Sequence, residues 1–120
     1  MKIFHNPRCS KSREAVALLQ ASVTALEVHE YLKDPLDLAQ LQALHKRLGV
    51  PAREMLRSGE AAYEQLGLAD SSLGDDALLA AIASHPQLLQ RPIVVSGDRA
   101  LIARPPELAL GLLLENDQAL

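Results

Sequence analysis

The sequence predicts an α/β domain on a mixed four-stranded sheet, and three observations carry the prediction. A short apolar run, a run at helical spacing and an alternating run follow one another across residues 1–31. Residues 34–90 show helical spacing only. Two β-rich runs separated by a Gly-Asp turn, then a proline-led helix start, follow that block.

Ile3 and Phe4 open the chain as a short central strand, and Asn6-Pro7 ends it. Ala15, Val16, Leu18 and Leu19 recur at helical spacing, so a helix covers residues 10–19 with Ser10 or Cys9 near its N-cap. Leu26, Val28 and Glu30 alternate with Glu27, His29 and Tyr31 in a second strand. Strand, helix, strand at this length is a βαβ unit with parallel strands. Asp34-Pro35 breaks the chain, and Asp37 caps a helix carrying Leu38, Leu41, Leu44 and Leu48 that ends at Gly49-Val50-Pro51. A short helix with Met55 and Leu56 comes next, then one over residues 60–66 closed by Gly67. Asp75 or Asp76 starts another, with Leu78, Leu79 and Ile82, that stops at His85-Pro86.

Arg91-Pro92-Ile93-Val94-Val95 is a compact strand, residues 96–99 have hairpin composition, and Ala100-Leu101-Ile102 is the antiparallel answer. Pro105-Pro106-Glu107 opens a final helix, with proline in the first turn and an acid at the positive end of the dipole. Residues 115–120 read as a frayed tail. The order is β-α-β, a helical insertion, then β-β-α. By analogy this is the connectivity of a thioredoxin-like fold: one domain over residues 1–120, with residues 34–90 inserted in it. Such domains place a cis-proline before the third strand, which would be the Arg91-Pro92 bond.

Composition narrows the function. Aromatics are 2% of the 120 residues while hydrophobics are 48%, so Leu, Val, Ile and Ala must form the core. The net charge of −3 argues against nucleic acid or an acidic membrane as a partner. No apolar run approaches the roughly 20 residues of a membrane span, and the start of the chain is no signal peptide. A single cysteine suits a reducing compartment, so we expect a cytoplasmic protein, and a monomer.

That cysteine, Cys9, sits at the first strand-to-helix corner among Arg8, Lys11 and Arg13. A helix N-terminus and nearby cations stabilise a thiolate, which is the nucleophilic form. Its polar neighbours argue against an inert buried cysteine. With no second cysteine, no disulfide can close within one chain. His5 ends the strand entering this corner and could orient or tune Cys9. His29, His45 and His85 show no metal spacing, and no metal site is expected. Arg91 and Arg104 each precede a proline at the ends of the last two strands. Alone, each is an ordinary surface side chain. A sheet of the predicted order brings both near the first corner, where the fixed fork of guanidinium donors suits a tetrahedral oxyanion. A tyrosine-phosphatase loop is excluded, since Cys-x5-Arg would need arginine where Ala15 stands.

The stretch His5-Asn6-Pro7-Arg8-Cys9-Ser10-Lys11-Ser12-Arg13 resembles the active-site loop of the ArsC/Spx-type family, in particular its glutaredoxin-coupled arsenate reductases and their YfgD-like branch. The resemblance continues through Tyr31-Leu32, Met55-Leu56-Arg57, residues 63–68, His85-Pro86, residues 91–95 and residues 104–107. It implies a thioredoxin-like fold with a helical insertion and a catalytic Cys9 that attacks arsenate. It implies that Arg57, Arg91 and Arg104 bind the oxyanion, and that His5 and Ser12 tune or support the cysteine. It also implies glutathione as co-substrate, glutaredoxin as partner and no bound cofactor. Lys11 departs from the small residues the family carries there.

Three functions fit these residues. The first is reduction of arsenate to arsenite through Cys9, glutathione and glutaredoxin. The second is a monothiol oxidoreductase acting on another glutathione-linked substrate. The third is an Spx-like regulator that binds RNA polymerase, although Ser12 replaces the second cysteine of the usual redox switch.

Overall fold

The computed structural model describes residues 1–23 and 25–113, so the tail at residues 115–120 lies outside the described residues. Strands β1 (Lys2–His5), β2 (Glu27–Glu30), β3 (Ile93–Ser96) and β4 (Arg99–Ile102) form one sheet in the order β2-β1-β3-β4. β1 pairs β2 in parallel and β3 antiparallel, and β3 pairs β4 antiparallel. The sheet is therefore mixed, as the sequence predicts. Ile3 and Phe4 are buried, as a strand paired on both sides requires. Glu27, His29 and Glu30 keep charged and polar groups on the edge strand β2, which discourages pairing with another chain.

The chain divides into two compact units: Met1–Asp34 together with the residues from Arg91 on, and Pro35–Gln90. In the first unit, helix α1 (Ser10–Gln20) turns Ala15 and Leu19 onto Ile3 and Val94 of the sheet. Ala103, Ala109 and Leu112 complete that core. That cluster is wholly aliphatic, and Phe4 and Tyr31 are the aromatic side chains buried elsewhere in the unit.

The second unit contains α2 (Leu38–Leu48), α3 (Ala61–Gln65) and α4 (Asp75–Ser84), with 3-10 turns at Ala52–Met55 and Pro86–Leu88. Asp37 and Gln40 form a reciprocal capping box at the start of α2, and Gly49 ends it in the left-handed conformation at φ 65°. Helix α4 packs against α2 and both turns. A bridge between Leu56 and Leu89 is flanked by Arg57 N–H donating to the Leu88 carbonyl at 2.8 Å and Gln90 N–H to that of Met55 at 2.7 Å.

Three elements depart from expectation by more than a residue or in helix type. The segment with Met55 is one 3-10 turn, because Pro51 and the extended Leu56 leave room for no more. The last helix likewise begins as a 3-10 turn at Pro106–Ala109 before residues 110–113 become α-helical. Strand β3 starts at Ile93 instead of Arg91, since a strand paired on both sides needs N–H donors and Pro92 has none. The Pro92 carbonyl still accepts from Ala103 N–H at 2.8 Å.

Candidate active site

Cys9 is the N-cap residue of α1, with extended backbone at φ −94° and ψ 123°, and it is half-buried. Its side chain makes no capping hydrogen bond, and α1 has no acid in its first turn. The orphan amides and positive dipole end of the helix therefore act on the thiol without a competing carboxylate on that turn.

The turn that presents Cys9 is fixed at each step. Asn6 folds it, its carbonyl accepting from Cys9 N–H and its side-chain Oδ1 from Arg8 N–H, both at 3.0 Å. From below, Ser12 Oγ accepts from Asn6 N–H at 3.0 Å and lies 2.6 Å from His5 Nδ1. Outside, the Arg13 guanidinium donates to the Pro7 carbonyl at 2.9 Å. Ser12 is fully buried, and His5 and Asn6 are nearly so.

Burial is the main cause that holds the His5 imidazole below its usual basicity; Glu30 opposes the shift and Arg13 reinforces it. A neutral ring fits its partner. We assign Nδ1 as the acceptor of the Ser12 hydroxyl proton, which leaves Ser12 Oγ free to accept from Asn6 N–H. His5 thus meets the loop through Ser12 and not through a bond to Cys9.

The register brings the arginine pair to the same end of the sheet. Phe4 at the end of β1 pairs Ile93 at the start of β3, and Ile93 pairs Ile102 at the end of β4. The Cys9 loop, Arg91 and Arg104 therefore leave the sheet together. The Arg104 guanidinium donates to the Arg91 carbonyl at 3.0 Å across the mouth of the hairpin. The Arg91–Pro92 bond is cis, as expected, and so is Arg104–Pro105. Arg57 belongs to the helical unit, where its guanidinium forms an ion pair with Glu60.

Other residues singled out in the sequence have structural settings. His29 contacts the Asp34 carbonyl at 2.6 Å and packs its ring at a tilt against Phe4, and His45 contacts the Val50 carbonyl at 2.8 Å. Lys11 forms an exposed pair with Glu14 at 3.8 Å. Among the described residues, no cluster of three or more His, Cys, Asp or Glu could hold a metal ion. Likewise no described helix is long and apolar enough to cross a membrane. Sequence reasoning missed two contributors, Asn6 as a folding centre and Arg13 as a brace. Asn-Pro was a visible turn signal for the first; nothing in the sequence marked the second.

Comparison with known proteins gives concordant matches. A model of the ArsC family matches residues 4–111. The chain is 50% identical over 108 residues to a Neisseria meningitidis protein named arsenate reductase, covering 89% of this chain and 92% of that one. It is 49% identical over 114 residues to an Escherichia coli K12 protein described as uncharacterized protein YfgD, covering 94% and 96%. The solved structure of an arsenate reductase from Vibrio cholerae superposes with a TM-score of 0.88 at 46% identity, over 92% of this chain and 97% of that one.

Proposed function

The chain belongs to the ArsC family, and from that premise we propose that it is an arsenate reductase with Cys9 as its single catalytic thiol. The observation that carries this reading is an unbonded thiol at the N-cap of α1, at the sheet end it shares with Arg91 and Arg104. In the reaction, the Cys9 sulfur bonds to arsenic and one arsenate oxygen leaves as water. Arg91 and Arg104 bind the remaining oxygens, and a fork of donors suits that task better than a point charge. His5 and Ser12 support the turn that aims the sulfur.

The second stage needs a second thiol. Glutathione sulfur bonds to Cys9 Sγ, the sulfur–arsenic bond breaks, and its electron pair stays on arsenic, which leaves as arsenite. Two sulfurs each give one electron, so arsenate and two thiols become arsenite, water and a mixed disulfide. A glutaredoxin exchanges that disulfide and returns Cys9 to the thiol. Glutathione acts as co-substrate, no cofactor stays bound, and the enzyme works as a monomer in the cytoplasm, where thiols remain reduced.

Arsenate-dependent NADPH oxidation, coupled through glutathione, glutaredoxin and glutathione reductase, tests the reading. Sustained turnover by the wild-type protein, lost in Cys9→Ser, is the expected result. No turnover with any thiol donor would reject arsenate as the substrate.

A further inference from the structure

A cleft of about 310 Å³ lies against the Cys9 turn, lined by Asn6, Pro7 and Arg8 on one side and Glu30, Leu32 and Lys33 on the other. The two linings are the segments that leave the carboxyl ends of the parallel strands β1 and β2, whose last paired residues are His5 and Glu30. The crevice beyond the carboxyl ends of parallel strands is where α/β sheets bind ligands. The volume falls at the small end of the usual range for such sites, roughly 300–1,000 Å³.

The lining has a definite chemical character. Pro7 is exposed and Leu32 is 42% exposed, so the cleft offers an apolar strip to a ligand. Arg8 is exposed, and among the described residues its guanidinium has no ion pair, while its backbone is held by Asn6. Lys33 sits 3.5 Å from Glu30 but is largely exposed, so that pair opens at little cost. Two cations and one anion around an apolar strip complement a short peptide carrying two carboxylates and one ammonium. Cys9 is on the same turn as three of the six lining residues. The proposed reaction also needs a thiol from outside, because the chain has one thiol and arsenate must take up two electrons.

We propose that this cleft seats the second thiol, a small dicarboxylate thiol peptide of the glutathione type. Its carboxylates lie on Arg8 and Lys33, its ammonium on Glu30 and its stem on Pro7 and Leu32. The proposal rests on the arsenate reductase reading. The bound thiol gives its sulfur to Cys9 Sγ as the sulfur–arsenic bond breaks; its proton passes to an oxygen of the departing arsenite.

Two measurements test it. In the coupled assay, Lys33→Glu raises the KM for glutathione about fivefold, leaves the KM for arsenate unchanged, and loses that effect at high salt. An unchanged KM for glutathione, or an equal rise in both KM values, would overturn the proposal. Separately, S-methylglutathione, which cannot react, is titrated into the wild-type protein and followed by amide NMR. Saturable shifts at Asn6, Arg8, Leu32 and Lys33 are expected; shifts confined to other residues, or none, refute the site. The titration needs no arsenate chemistry, so a wild-type protein inactive on arsenate would sink the functional reading while the cleft is still judged by its own result.

Discussion

Replacing Ser12 by alanine removes one oxygen from a fully buried position and should cost far more than its size suggests. That oxygen accepts from Asn6 N–H at 3.0 Å and bonds His5 Nδ1 at 2.6 Å, and both partners are themselves nearly buried. Water cannot readily replace it. A buried polar group left without a partner costs about 1–3 kcal/mol, so two orphaned groups put the loss at about 2–4 kcal/mol after allowing for some relaxation. The unfolding entropy of a chain of 120 residues is about 0.25 kcal/mol per kelvin near its midpoint. The melting temperature should therefore fall by about 8–16 °C. Ser10→Ala, at an exposed position two residues away, is the control and should move stability by less than about 0.5 kcal/mol. Thermal melts and urea titrations of the three proteins measure this. kcat/KM for arsenate in Ser12→Ala should fall as well, because Asn6 folds the turn that aims Cys9. If Ser12→Ala melts within 2 °C of wild type, the hydroxyl does not hold the turn and the account of this loop is wrong.

His5 should titrate below the usual histidine value of about 6.5, observed as the midpoint of its ring proton shift by NMR. Because the folded state resists protonation, its stabilising effect is complete above about pH 6.5 and is lost as pH falls from there through the folded-state value; His5→Gln should show a shallower loss in melts across that window. Cys9→Ser should abolish arsenate reduction while shifting stability by less than about 1 kcal/mol, since the change is one atom at a half-buried corner. Glutathione with glutaredoxin should support many turnovers of wild type and thioredoxin with its reductase few; the reverse order would contradict the mixed-disulfide route. Arg104→Lys should raise the KM for arsenate about tenfold, the loss of one charge-assisted bond of about 1.5 kcal/mol, and an unchanged KM would remove Arg104 from the anion site.

The architecture was legible because this chain punctuates its elements with residues that act locally. Asp37 before Leu38, Gly49 after Leu48 and Gly97-Asp98 between β3 and β4 each mark an end by backbone chemistry that tertiary packing does not override. Gly97 indeed takes φ 62° in that hairpin. The elements misread at their ends are those where hydrophobic spacing speaks and hydrogen bonding decides. Met55 looks helical because it is buried, yet it belongs to a short tight turn. Periodicity reports which face is covered and is silent on whether the backbone closes at three residues or four.

The site divides along the same line. Cys9 could be singled out from its neighbours alone, because a polar, cationic helix start is a local fact. Arg91 and Arg104 are 13 residues apart and meet only through the register Ile93↔Ile102, which spacing suggests but cannot establish. Invisible in advance was the contrast within the loop. The amide of Cys9, the backbone of its neighbours and the side chains of His5, Asn6, Ser12 and Arg13 are tied into one bonded turn, while the Cys9 side chain forms no cap bond. A nucleophile that must bond first to arsenic and then to a second sulfur gains from both halves of that arrangement. A fixed backbone reduces the orientational entropy lost at each attack. An uncommitted sulfur has no hydrogen bond to break before it reacts. In the proposed reaction the second thiol approaches from solvent, since the chain has one cysteine, and the turn keeps Arg8 outward. In that reading the bonded turn fixes the backbone while the sulfur stays available to a thiol that arrives from outside.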